Sequence, residues 1–227
     1  MAYGIKVWSA NGAVQLDSSD SNQILYQEFA SGTSSAATGA SSGDFRQIIV
    51  SVTGFSIGEC LVFIRPTGTV TGVKAYVLPG SGGFSIMTDT NRSFYWYVFK
   101  KASSLSTPTG YGLVVYASDG TTVQYNSDVL SARIKGRVTG VGTVTGSNLF
   151  GMGTFQYTFA NARLSPNRGF IKGFHWHWTS TGLEFINGTI SPYGASYTSS
   201  DNQQTREDMF YFNISQPTAL VIQAPNP

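Results

Sequence analysis

Residues 175–178, His175-Trp176-His177-Trp178, carry the side chains best suited to chemistry in this chain. On an extended backbone both imidazoles share one face and both indoles the other, because side chains alternate along a strand. Two imidazoles at that spacing can ligate one metal ion. A complete site needs a third and fourth ligand, and the chain has no other histidine and a single cysteine, so carboxylates such as Glu184 would have to complete it. A second reading is an amphipathic strand whose tryptophans are buried in a core, the more frequent use of such rings. A third turns aromatics outward. Trp176 and Trp178, with Tyr193 and Tyr197 in a nearby Gly/Ser loop, would then form a platform facing a ligand or receptor, on which a sugar ring can stack.

Catalytic groups are otherwise scarce. No nucleophile elbow is present. Cys60 sits in an apolar run before Leu61-Val62-Phe63-Ile64, where a cysteine is a small buried hydrophobe without sign of activation. No pair of carboxylates falls in a motif that singles it out, and the glycines from Gly136 to Gly146 lack the GK[ST] and following helix of a phosphate loop. These absences predict a protein that is not an enzyme and needs no cofactor.

Composition narrows the class further. Charged residues are 11% of 227, the net charge is +2 and 26 residues are glycine. Such a low-charge, Gly/Ser/Thr-rich and aromatic balance is common in extended β-proteins that live outside cells or pack into large assemblies. Arg133, Lys135 and Arg137 alternate and would line one face of a strand; without interleaved aromatics they read as a solvated edge and not as a nucleic-acid contact. One cysteine cannot form an internal disulfide. The amino terminus MAYGIKVW has no basic segment followed by an apolar core, and no apolar run approaches the ~20 residues that span a bilayer. Cytoplasmic synthesis without membrane insertion is the expectation.

The elements that must position these residues are strands. Sustained 3.6-residue periodicity is absent, whereas short β-branched and aromatic runs recur between Gly, Pro, Asn and Ser clusters. The predicted strands are 3–8, 13–17, 22–29, 45–53, 59–65, 72–78, 84–87, 93–100, 111–117, 121–125, 129–138, 154–160, 169–178, 183–189 and 208–215. This density predicts an all-β protein of antiparallel sandwiches or barrels.

A repeat organises them. YGIKVWSANGAVQLDS from Tyr3 aligns with YGLVVYASDGTTVQYNS from Tyr111, pairing Tyr3 with Tyr111, Trp8 with Tyr116, Asn11-Gly12 with Asp119-Gly120 and Gln15 with Gln124, with Thr122 inserted. Each copy has the form of a β-hairpin, its Asn-Gly or Asp-Gly suited to the positive φ angles of a tight turn. The copies differ where Lys6 aligns with Val114 and Leu16 with Tyr125. A spacing of roughly a hundred residues marks related domains and not a solenoid. The aromatic strand Phe94–Phe99 echoes Phe210–Ile214. The expectation is therefore two related antiparallel β-sandwich-like domains, each opening with a Tyr-Gly hairpin, at residues 1–105 and 109–227; one large sandwich with pseudo-twofold halves is the alternative.

The hairpin, with Tyr3-Gly4, Asn11-Gly12 and Leu16-Asp17-Ser18, and its second copy, with Tyr111-Gly112, Asp119-Gly120 and Asn126-Ser127, resembles small minor tail proteins of tailed bacteriophages. In that family a Tyr-Gly hairpin stands at the start and a second often follows an aromatic strand. The likeness covers about a sixth of the chain, with Asn126 where an aspartate is usual and no counterpart for the His-Trp stretch. It implies a virion component of the tail tip or baseplate, present in multiple copies and made in the host cytoplasm. It also implies that the hairpin residues Tyr3, Trp8, Asn11, Gly12, Tyr111, Tyr116, Asp119 and Gly120 dock other tail proteins, without catalytic residues. The alternative is a receptor- or carbohydrate-binding tail module that contacts a host surface glycan through the aromatic platform.

Overall fold

The computed structural model describes residues 6–8, 14–17, 26–37, 46–104, 112–117, 119–132, 134–152, 161–162, 171–190 and 218–227. Its strands, in chain order, are β1 Lys6–Trp8, β2 Val14–Asp17, β3 Tyr26–Thr33, β4 Arg46–Ser51, β5 Leu61–Pro66, β6 Lys74–Gly80, β7 Gly83–Thr88, β8 Phe94–Lys101, β9 Val114–Tyr116 and β10 Val123–Asn126. The chain continues with β11 Ile134–Thr139, β12 Gly142–Thr145, β13 Leu149–Met152, β14 Asn161–Ala162, β15 Ile171–Trp178, β16 Gly182–Ile190 and β17 Thr218–Gln223. A single 3-10 turn, Ala102–Ser104, is the helical element among the described residues. The all-β antiparallel, sandwich-like fold expected from the strand density is the fold observed.

Two compact units make up the chain. The first comprises Met1–Ala30, Glu59–Leu61 and Val98–Ala132, the second Ser31–Gly58, Val62–Tyr97 and Arg133–Pro227. This division differs from the one expected at residues 105–109. A local repeat identifies related hairpins, but sheet membership is decided by pairings far apart in sequence. Within the second unit, β13 pairs with β5 (Gly151↔Ile64) and β15 with β6 (Trp176↔Ala75), so strands from both halves of the chain share each sheet. Both Tyr-Gly hairpins lie in the first unit, instead of one opening each half.

The second unit holds the two large sheets. One has the order β11-β17-β13-β5-β8-β3, with β3, β5 and β8 belonging to the unit in part; the other runs β12-β16-β15-β6-β7-β4, with β14 beside β15. Alternation along the strands gives each sheet an apolar inner face. Ring contacts between the sheets define the core: Phe94 of β8 meets Trp178 of β15 edge-on at 6.3 Å, and Phe84 of β7 meets Trp96 of β8 at 5.8 Å. Trp176 and Phe185, register partners on β15 and β16, pack with tilted rings 4.6 Å apart. Phe84, Phe94, Phe185, Leu183, Trp176 and Trp178 are all buried, so this layer supplies much of the unit's hydrophobic stabilisation.

Candidate functional site

The second hairpin, β9–β10, is built by residues that sequence repetition marks out. Ala117 N–H donates to Thr122 O at 2.8 Å and Gly120 N–H to Ala117 O at 2.9 Å, so the loop is longer than the two-residue turn expected. Gly120 adopts φ 71°, as the aspartate-glycine pair requires. Asp119 organises the loop: Oδ1 accepts the N–H of Thr121 and of Thr122, each at 2.8 Å, and Oδ2 accepts the Thr122 hydroxyl at 2.5 Å. The hydroxyl first, then the amides, lower the Asp119 carboxyl from 3.8 to about 2. The inserted Thr122 is thus the residue that secures the turn.

At the open end, Gly112 and Leu113 meet Ser127 across the pair. Leu113 N–H donates to Ser127 Oγ at 2.7 Å and Ser127 N–H returns to Leu113 O at 2.9 Å. A Cβ at Gly112 would lie 2.6 Å from Ser127 Oγ and 2.3 Å from Asp128 Oδ1, so a side chain there would require both of those side chains to move. The hairpin is then held from outside itself. Gln27, fully buried on β3, donates from Nε2 to Asn126 O at 2.6 Å and accepts Asn126 N–H at Oε1 at 3.0 Å. An amide side chain here reproduces both hydrogen bonds of a neighbouring strand. Val115, Val123, Gln124 and Asn126 are buried, while Leu113 and Tyr116 remain 48% and 40% exposed.

The first hairpin repeats this backbone. In β1–β2, Lys6 pairs with Asp17, Val7 with Leu16 and Trp8 with Val14; in β9–β10 the aligned residues pair as Val114 with Asn126, Val115 with Tyr125 and Tyr116 with Val123. The register slips once in each, placing Gln15 and Gln124 at the bulge. Tyr3, Asn11, Gly12 and Tyr111 lie outside the described residues, as do Tyr193 and Tyr197.

The histidine-tryptophan strand resolves differently from an aromatic platform. Trp176 and Trp178 are buried, and their indole N–H groups donate to Met152 O at 2.8 Å and Leu149 O at 3.2 Å. Trp176 lies directly over Gly151, where a Cβ would come within 2.6 Å of the ring. Both rings are core, which removes them as ligand-facing aromatics: the apolar face of β15 is the one turned to the opposing sheet. The outward face carries His175, itself buried, and His177, whose side chain is 26% exposed. His177 sits in register between Glu184 of β16 and Lys74 of β6, with Nδ1 3.1 Å from Glu184 Oε2. Asp89 is close by, its Oδ1 accepting Lys74 N–H at 3.0 Å; burial raises its carboxyl, against the opposing pull of that amide and of Lys74 and His177. Glu184 thus meets His177 as a metal site would need, yet no three histidine, cysteine or acidic side chains among the described residues converge on a metal position. The arrangement is a cross-strand row of polar residues in which His177 meets Glu184, an ion pair only when the imidazole is protonated.

Two smaller expectations fall in place. Cys60 is buried, and Lys135 and Arg137 are exposed on β11, the end strand of its sheet among the described residues; Arg133 lies outside them. Gln27 had no visible signal, because its partner lies 99 residues away. The repeated Gln15/Gln124 was visible in the alignment; its structural meaning, the bulge, was not. No family model, curated protein or solved structure matches the chain.

Proposed function

We propose that this chain is a structural component of a bacteriophage tail, at the tail tip or baseplate, that docks other virion proteins through its Tyr-Gly hairpins. The observation that carries the reading is the hairpin itself. The same register and the same bulge occur twice, and the described copy presents Leu113 and Tyr116 to solvent from a backbone pinned by Gln27. An exposed aromatic and an exposed aliphatic side chain on a rigid frame suit docking, since little conformational entropy is lost when they are covered. The resemblance of the two hairpins to minor tail proteins supplies the setting. Multiple copies per particle follow from the symmetry of such assemblies. With Trp176 and Trp178 in the core, half of the platform needed for host-glycan recognition is gone, and docking is the reading favoured.

Antibody against the chain, imaged on negatively stained particles, tests the proposal. Label at tail ends is expected. Label confined to capsids, or none on particles, would overturn it.

A further inference from the structure

Strand β4 closes one end of the seven-stranded order among the described residues and pairs only with β7. Val52 N–H donates to Gly82 O, and the Val50 carbonyl lies against Gly83. Backbone groups alternate in direction along a strand, so Arg46, Ile48 and Val50 address β7, while Gln47, Ile49 and Ser51 direct their N–H and C=O groups away from the sheet. Native edges are commonly blunted by proline, lysine or a bulge. This one has none of these: its register with β7 is continuous, and Ile49 is 73% exposed at its middle.

The sequence of β4 is symmetric about that residue. Gln47 and Ser51 flank it as polar residues, Ile48 and Val50 as buried apolar ones. We infer that β4 pairs antiparallel with β4 of a second copy of this chain, with Ile49 on the two-fold axis. In that register Ile49 faces Ile49, and Gln47 faces Ser51 of the second copy on either side. All three outward-directed backbone pairs then close as hydrogen-bonded pairs, six bonds in all. Sliding by two residues in either direction would set Ile49 against Gln47 or Ser51, leaving the apolar side chain opposite a polar one. Side chains already buried on the inner face stay with their own core. The two Arg46 residues end about 20 Å apart, at opposite ends of the new pair, so no like charges oppose each other. The contact is isologous and closes at two copies. It does not rest on the tail reading.

Sedimentation of the full-length chain over a concentration series tests it, with Ile49→Lys and Ile49→Glu as variants. Ile49 is exposed, so both keep the wild-type far-ultraviolet dichroism. The wild type is expected to reach twice the 24.4 kDa of one chain, each variant alone to stay at that single mass, and an equimolar mixture of the two to recover the dimer. A wild type that stays monomeric at all concentrations, a dimer that survives Ile49→Lys, or a mixture that does not reassociate would each overturn the inference.

Discussion

Gln15 and Gln124 hold the same place in two hairpins: each stands where the pairing register of its hairpin shifts by one residue. A bulge bends its strand and re-aims the side chains beyond it. Here it falls between Val14 and Leu16 in one copy and between Val123 and Tyr125 in the other, so the two copies share the bend and not only the residues. The divergent pair Leu16 and Tyr125 follows the bulge directly. Different partners for the two hairpins are therefore expected to be read at that position.

The second hairpin depends on Gln27. Gln27→Ala leaves the N–H and C=O of buried Asn126 without their partners, each at about 1–3 kcal/mol. Denaturant unfolding should show a loss of roughly 2–4 kcal/mol, and the Asn126 amide should exchange much faster with deuterium. A loss below about 0.5 kcal/mol, the range of ordinary surface changes, would show that the amide clamp does not hold the strand.

The turn carries a pH signature. The folded Asp119 carboxyl is depressed to about 2 from 3.8, so its stabilising hydrogen bonds are fully present above pH 3.8 and are lost as pH falls through about 2. Carbon-detected titration of the carboxyl should give that low value. Thr122→Val removes the largest contributor and should return the titration toward the ordinary carboxylate range; an unchanged curve would assign the shift elsewhere. Asp119→Asn reproduces the Asn-Gly of the first hairpin and should fold normally.

The tryptophans of β15 are structural. Trp176→Ala should cost about 3–5 kcal/mol, as buried aromatic truncations do. Trp176→Phe keeps most of the ring but leaves the Met152 carbonyl without its donor, and should cost less than the alanine change. Unchanged denaturant midpoints for both variants would contradict the core assignment.

Much of the architecture was legible in the residues. Period-two alternation put His175 and His177 opposite Trp176 and Trp178, and strands such as β5, β8 and β15 lie within about two residues of their expected limits. The misses have physical causes. Strands β12 and β13 lie in a glycine-rich stretch not expected to hold strands, yet Gly151 is there because the Trp176 ring occupies the space of a side chain. The apolar Ala219–Ile222 run of β17 follows Pro217 and was not expected as a strand, although it links β11 to β13. The expected strands 154–160 and 208–215 fall outside the described residues. Which strands share a sheet depends on pairings such as Gly151 with Ile64, about which local patterns say nothing. At the site, the hairpins, Asp119-Gly120 and exposed Tyr116 were visible in the repeat; Gln27 and Leu113 needed the fold.

The central claim, docking through the hairpins, is tested most directly by incorporation. A chain carrying Leu113→Ser and Tyr116→Ser, both exposed, should keep its unfolding midpoint but compete poorly with wild type for a place in particles. Losing an anchoring aromatic typically costs an interface 2 kcal/mol or more, which is roughly a 30-fold drop in affinity. Co-expression of differently tagged wild-type and double-variant chains, followed by quantification of each tag in purified particles, gives the answer. The account predicts strong depletion of the variant; equal incorporation of the two chains would contradict it.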